Sequence, residues 1–127
     1  MILADTSIWI EFLRGNAKYS AIFSDLIEQR QVQVIECVFG ELLQGVKNEK
    51  EATVIQEYWH NLPQVDMSGI WISAGYLCFR EKFFSRGIGI IDAALLIAAK
   101  KQKLRLWTLD KKLLQVVPTQ NKFITPF

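Results

Sequence analysis

Four carboxylates stand at points where the pattern of the chain changes. Asp5 closes the apolar run Ile2 to Ala4 and precedes Thr6-Ser7, while Asp110 closes the run Leu104 to Leu109 and precedes Lys111-Lys112. Glu41 lies early in a helical stretch after Val32, Val34 and Ile35, and Asp92 opens the alanine-rich segment Ala93 to Ala99. An acid between the end of a strand and the start of a helix lies on the edge where open α/β sheets place their ligands. Four such acids facing one crevice would repel one another. One or two Mg2+ or Mn2+ ions would relieve that repulsion, because these cations take hard oxygen ligands and keep several waters. A purely structural reading stays open at each position, with Asp5 and Asp110 as helix N-caps and Glu41 and Asp92 as first-turn acids favoured by the helix dipole. No one acid decides between the readings; the set of four favours a shared acidic, metal-dependent site.

Other chemistries are poorly served. His60 is the sole histidine and sits in the polar interval between Trp59 and Pro63, with no Ser or Cys beside it arranged as a nucleophile. Cys37 and Cys78 lie among apolar neighbours in no CxxC or Cys/His spacing, which argues against zinc and redox chemistry. Gly87 to Ile90 reads GIGI and lacks the G-x-G-x-x-G spacing of a dinucleotide-binding turn. No stretch reaches the roughly 18 uninterrupted apolar residues of a membrane span, and the start of the chain, with Asp5 and Glu11, carries no basic leader. The expectation is a soluble, cytoplasmic protein.

A chain of 127 residues, 50% hydrophobic and 22% charged, fits one compact domain over residues 1–127 with a real core, and excludes a disordered tail or a disulfide-stapled miniprotein. Its net charge of +2 conceals a division after Asp66: 5 Lys/Arg against 10 Asp/Glu before that point and 10 against 3 after it, hence −5 and +7. Such asymmetry can set a cation-attracting region beside a polyanion-attracting one.

The elements that must position the acids follow from periodicity. Thr6-Ser7 starts a helix that runs through Leu13 and stops at Gly15, and Ile22, Phe23, Leu26 and Ile27 mark one face of a second. Val32, Val34 and Ile35 suggest a strand, followed by a helix that holds Glu41, Leu42 and Leu43 and closes near Gly45. The stripe Val54, Ile55, Tyr58, Trp59 and Leu62 stops at Pro63. Ile70, Trp71, Ala74, Leu77 and Cys78 mark a longer helix running towards Arg86 and Gly87, and these two helices are expected to pack as a pair at one sheet edge. A buried helix over Ala93 to Ala99, a strand over Leu104 to Leu109, a short helix after Lys111-Lys112 and a last edge strand over Phe123 to Phe127, limited by Pro126, complete the chain. Strands separated by helices favour an α/β fold, a three-layer sandwich whose central, mainly parallel sheet has helices on both faces.

Four pieces of this chain also recur as a set. Asp5-Thr6-Ser7 with Trp9-Ile10-Glu11 and Leu13-Arg14-Gly15 comes first, then Gly40-Glu41-Leu42 with Gly45. Asp92-Ala93-Ala94 with Leu96-Ile97-Ala98-Ala99 follows, and Trp107-Thr108-Leu109-Asp110-Lys111 closes the series. In this order and spacing they resemble the PIN-domain ribonucleases, especially the VapC toxins of bacterial and archaeal toxin-antitoxin pairs, over nearly the whole chain. The resemblance implies a PIN-like sandwich in which Asp5, Glu41, Asp92 and Asp110 are the catalytic acids that bind Mg2+ or Mn2+. It gives Thr6 or Ser7, and Thr108, the task of orienting Asp5, Asp110 or a water at the metal through hydroxyl hydrogen bonds. Many relatives carry a further acid three residues after the position of Asp110, where this chain has Leu113.

The activity so implied is metal-dependent endoribonucleolytic hydrolysis leaving a 5′-phosphate and a 3′-hydroxyl, in the toxin of a type II toxin-antitoxin system. The implied partners are RNA, a second copy in a homodimer, and a small VapB-like antitoxin whose C-terminal segment fills a groove near the acids; Trp9, Ile10, Leu13, Phe39 and Leu43 offer apolar contacts for it if their helices leave one side exposed, with packing inside the chain as the equal alternative. Arg14, Arg80, Lys82, Arg86, Lys111 and Lys112 are the candidate phosphate contacts, needed because the acids alone would repel RNA. Trp9, Trp59, Trp71, Trp107, Tyr58, Phe79, Phe83 and Phe84 are expected to pack rather than stack on bases. Two alternatives remain. Another Mg2+-dependent phosphoryl-transfer enzyme of dehalogenase type would want an Asp where Ser7 stands, and a non-catalytic RNA- or partner-binding module on the same scaffold would be signalled by a missing acid, whereas all four are present.

Overall fold

The computed structural model describes residues 1–127. Strand β1 (Ile2–Ala4) is the centre of a parallel sheet of order β2-β1-β3, with β2 at Val32–Gln33 and β3 at Arg105–Trp107. Parallel neighbours cannot be joined by a tight turn, so every return to the sheet passes through helices. Helices α1 (Thr6–Leu13) and α2 (Ala17–Glu28) connect β1 to β2. Then α3 (Glu36–Gln44), α4 (Glu49–Asn61), α5 (Ile70–Glu81) and α6 (Ile90–Gln102) connect β2 to β3, and α7 (Lys111–Val116) follows β3. All three residues of β1 are buried although successive side chains point to opposite faces, so helices cover both sides of the sheet. This is the expected α/β sandwich, and none of its helices is long and apolar enough to cross a membrane.

The core is aromatic on the side of α1. Trp9 packs edge-on against Phe23 and Phe39 at centroid distances of 4.7 and 5.0 Å and tilts onto Tyr58 at 5.5 Å, joining α1 to α2, α3 and α4. Phe23 in turn meets Trp107 of β3 at 5.8 Å. On α6, Ala93, Ala94, Ala98 and Ala99 are all fully buried, and such small side chains let the helix lie close to its neighbours.

Several elements differ from the sequence expectation, each for a local reason. Strand β3 stops at Trp107 because the amides of Leu109 and Asp110 bond the hydroxyls of Ser7 and Thr108 instead of a neighbouring strand. Helix α5 ends at Glu81, since Lys82 turns left-handed (φ 54°) and passes the chain to a separate 3-10 turn, Phe83–Arg86. The expected pairing of α4 with α5 is replaced: α5 packs chiefly on α6, and α4 on α3. Phe123 to Phe127 forms no strand. A bridge between Lys122 and Leu106, the bond from Phe123 N to Leu106 O and the Phe123 ring on Trp107 at 4.5 Å reach the sheet, while the buried Asn121 side chain ties this segment to Ala99 O and Leu104 O. Helix α3 begins at Glu36, which puts Glu41 in its second turn rather than its first.

Candidate functional site

Register decides where the first and last acids meet. Ala4 pairs with Trp107, so Asp5 emerges from β1 beside Thr108, and its amide donates to Trp107 O at 3.0 Å. Asp5 is buried and caps α1 through Ile8 N at 3.3 Å. Its two carboxylate oxygens accept separate hydroxyls, Oδ1 from Ser7 and Oδ2 from Thr108. Those hydroxyls are themselves acceptors, Ser7 Oγ from Leu109 N at 3.1 Å and Thr108 Oγ1 from Asp110 N at 3.0 Å. The end of β1 is thereby stitched to the start of α7. Burial pushes the Asp5 carboxyl above its usual range, and the Ser7 and Thr108 hydroxyls pull against that shift.

The other acids come from three more elements. Asp110 caps α7, accepting from Lys112 N at 2.8 Å and Leu113 N at 3.3 Å. Leu113, at the position where many relatives have a further acid, is fully buried in the core. Glu41 accepts from Thr6 Oγ1 at 2.8 Å. Thr6 therefore holds Glu41 and Ser7 holds Asp5, a division of labour that sequence alone left open. Asp92 lies in the first turn of α6. Its carboxyl is pushed up to about 6, by burial first and then by the negative charges of Asp110, Asp5 and Glu41.

The four acids thus share one electrostatic neighbourhood at the C-terminal edge of the sheet. They do not converge further: no three His, Cys, Asp or Glu side chains are grouped closely enough to hold a metal ion as they stand. The two observations describe different ranges. Charge repulsion is felt across several ångströms, whereas ligation needs oxygens about 2.0–2.6 Å from one cation. The donor set itself is hard, all carboxylate, and short of counter-charge, which fits Mg2+ or Mn2+ rather than a soft metal.

Cations stand on two sides of this edge. Lys112 lies across Gly87, whose left-handed turn (φ 73°) leaves the space: a Cβ there would come within 2.8 Å of Lys112 Nζ. Arg86, next to Gly87, sits over the Phe83 ring at 5.5 Å. On the other side Arg14 ends α1 and forms the one ion pair within 4 Å in the molecule, to Glu11 at 3.7 Å. Arg80, Lys82, Arg86, Lys111 and Lys112 consequently have no carboxylate at salt-bridge distance.

Glu41 and Thr6 also border a cavity of about 660 Å³ between α1, α3 and α4. Ile10, Leu13 and Val54 give it an apolar wall, and Arg14, Lys47 and Lys50 give a rim with more basic than acidic groups, Glu51 standing among them. Lys47 and Lys50 escaped the sequence reading; the only signal was their place beyond the helix stop at Gly45. Of the expected apolar contacts, Ile10 and Leu13 are open to this cavity, Leu43 is half-buried, and Trp9 and Phe39 belong to the core. The aromatic expectation also needs correction. Trp9, Trp107 and Phe83 are buried and Tyr58 and Trp59 partly so, but Trp71, Phe79 and Phe84 are exposed.

Residues 2–117 match the PIN domain family. Ribonuclease VapC32 of Mycobacterium tuberculosis, in two strains, is 34% identical over 117 residues, covering 89% of this chain and 87% of that protein. Among solved structures, a toxin-antitoxin complex from Klebsiella pneumoniae gives a TM-score of 0.73 at 17% identity, covering 97% of this chain and 100% of that one. FitAcB from Neisseria gonorrhoeae gives 0.61 at 22% identity over 91% of each chain. The structural likenesses bear on the fold, and the sequence matches on the family.

Proposed function

This chain belongs to the PIN-domain family, with VapC-type ribonucleases among its relatives, and from that premise we propose that it is a metal-dependent endoribonuclease, the toxin of a type II toxin-antitoxin pair. The observation that carries the reading is the negative charge that Asp110, Asp5 and Glu41 bring to bear on the half-buried Asp92 at one sheet edge, a donor set that a divalent cation would neutralise.

Asp5, Glu41, Asp92 and Asp110 would hold the ion. When bound, Mg2+ or Mn2+ supplies charge stabilisation at phosphoryl oxygens and lowers the pKa of water. The chain's own residues do the rest. Ser7 and Thr108 fix both oxygens of Asp5, and Thr6 fixes one oxygen of Glu41, so these carboxylates are oriented before substrate arrives. Arg86, Lys111 and Lys112 on one side and Arg14 on the other offset the phosphate charge that the acids would repel. Arg80 and Lys82 extend the basic approach along the end of α5. These contacts set affinity and salt dependence more than sequence choice, because phosphates carry no base identity.

The cavity beside Glu41 suits the antitoxin. An apolar wall of Ile10, Leu13 and Val54 with a rim of Arg14, Lys47 and Lys50 fits an extended segment bearing apolar and acidic side chains. A segment bound there would reach the acids and keep RNA out.

The test is RNA cleavage with and without Mn2+ or Mg2+, with Asp92→Asn purified in parallel to expose contaminating nuclease. Metal-dependent cleavage by the wild type and none by the folded variant is the expected result. Equal cleavage by both in metal-free buffer would reject the reading.

A further inference from the structure

The 3-10 turn between α5 and α6 carries an aromatic side chain that the fold does not use. Phe83 is buried at 2% exposure, whereas Phe84, the next residue, is 96% exposed. The backbone beneath that ring is nevertheless fixed. Lys82 and Gly87 bracket the turn, both left-handed at φ 54° and 73°. Ile88 N donates to Phe83 O at 3.0 Å, Gly87 N to Phe84 O at 3.3 Å, and Ser85 Oγ to Lys82 O at 2.9 Å. A single exposed apolar residue needs no explanation by itself. Here charge and position supply one.

Arg80, Lys82 and Arg86 flank the ring in sequence, with Glu81 as the one acid among them. None of the three cations has a carboxylate at salt-bridge distance. Position is set at the C-terminal end of the turn. Gly87 lies against Lys112, where a Cβ would come within 2.8 Å of Nζ, and Lys112 N donates to Asp110 at 2.8 Å. From Gly87 the chain passes through Ile88, which is buried, to Gly89, the N-cap of α6, and so to Asp92 in the first turn of that helix. The turn that holds Phe84 out in solvent is therefore fastened beside the segments that bear Asp92 and Asp110.

We propose that Phe84 is a substrate-binding residue: its ring stacks on an unpaired base of the RNA while Lys82 and Arg86 take the adjoining phosphates, so that the turn selects single-stranded segments for the acid edge. This rests on the nuclease reading and adds to it a contact with a base, which phosphate contacts do not supply. Every base has a π-face, so the stack tolerates sequence but needs the base to be free. A duplex keeps its bases stacked on one another and withholds them from the ring. A second copy of the chain is the competing occupant. A two-fold interface sets a patch against itself, and here that would bring Arg80, Lys82 and Arg86 up to the same three cations, a like-charge juxtaposition that opposes association.

The experiment measures binding of a single-stranded oligoribonucleotide containing 2-aminopurine to the full chain in EDTA, and cleavage of the same strand in Mn2+. Binding to the wild type should quench the 2-aminopurine fluorescence, the mark of a stacked base. Phe84→Ala should lose that quenching, weaken binding about 5- to 100-fold, and raise KM with kcat unchanged. Its melting temperature should stay that of the wild type, because the ring is exposed. Phe84→Leu should lose as much as Phe84→Ala, and Phe84→Trp should bind like the wild type. Phe84→Ala should also keep the salt dependence of binding, since stacking releases no counterions, whereas Arg86→Ala should lower the slope by about one. A duplex of the same sequence should bind wild type and Phe84→Ala alike. Unchanged affinity and KM in Phe84→Ala, beside a wild type that cleaves, would overturn the proposal and leave the nuclease reading standing. A wild type that neither binds nor cleaves RNA would remove both. Full binding by Phe84→Leu would make the contact apolar packing, and a Phe84→Ala protein altered only in self-association would make it a contact between copies; either would overturn the stacking role.

Discussion

One turn of α1 separates two regions with opposite physics. At its N-terminus Asp5 is buried, held by two hydroxyls, and surrounded by the charges that lift Asp92. Four residues on, Trp9 is buried among the rings of Phe23, Phe39 and Tyr58, where packing attraction outweighs the cost of an indole N–H left without a partner. The aromatic cluster stabilises the fold; the acid edge is tolerated by it. A carboxylate whose pKa rises on folding costs stability in its charged form, and a site that keeps two of them, Asp5 and Asp92, must be carried by packing elsewhere.

That contrast can be broken by substitution on either side. Phe23→Ala should cost about 3–5 kcal/mol in denaturant unfolding, since Phe23 bridges Trp9 to Trp107; a loss under about 1 kcal/mol would mean the aromatic cluster is not the support of the edge. Thr108→Val keeps the shape but removes the hydroxyl that donates to Asp5 and accepts from Asp110 N. It should cost about 1–3 kcal/mol, read from the urea midpoint, and an unchanged midpoint would dissolve the proposed stitching of β1 to α7.

The pH dependence carries the opposite sign. Asp92 has an ordinary value of 3.8 and a folded value of about 6, so between these the native state binds more protons than the unfolded one. Stability in EDTA should therefore fall as pH rises from about 4 through 6, and recover on acidification. Allowing for solvent screening of a half-buried group, the effect is at most about 1–2 kcal/mol. Comparison of wild type with Asp92→Asn isolates it, and identical pH profiles would contradict it. The smallest effect lies outside both regions: Lys103 ends α6 with φ 57°, and Lys103→Gly should stabilise by about 0.5–1 kcal/mol. A lower melting temperature would show that the side chain, not the backbone, governs that turn.

The acid edge was the most legible part of the sequence because each acid interrupts an apolar pattern. Asp5 after Ile2 to Ala4 and Asp92 before Ala93 mark strand end and helix start without reference to distant residues. The parallel sheet followed from the alternation of strands with helices. What periodicity could not show was partner choice. The stripe of α4 fits α3 as well as α5, and only tertiary packing sends α5 to α6 instead. The exposed aromatics of α5 were unreadable for the same reason: Trp71 lies in the same apolar pattern as the buried Ile70 and Ala74, and Phe79 follows it, yet both face solvent. The break at Lys82 was hidden because lysine carries no sign of a left-handed turn, unlike Gly87. Thr6 and Ser7 were likewise interchangeable on paper until the fold gave one to Glu41 and the other to Asp5.

Central to this account is that Asp5, Glu41, Asp92 and Asp110 form one cation-seeking site that the fold supports at a cost. Thermal unfolding of wild type and Asp92→Asn at pH 7.5, each in EDTA and in millimolar Mn2+, tests it most directly. In EDTA the variant should melt higher, because a repelled charge is gone; in Mn2+ the wild type should rise and the variant should not, so that their order reverses. An Asp92→Asn protein that melts below wild type in EDTA, or gains as much from Mn2+, would contradict the claim.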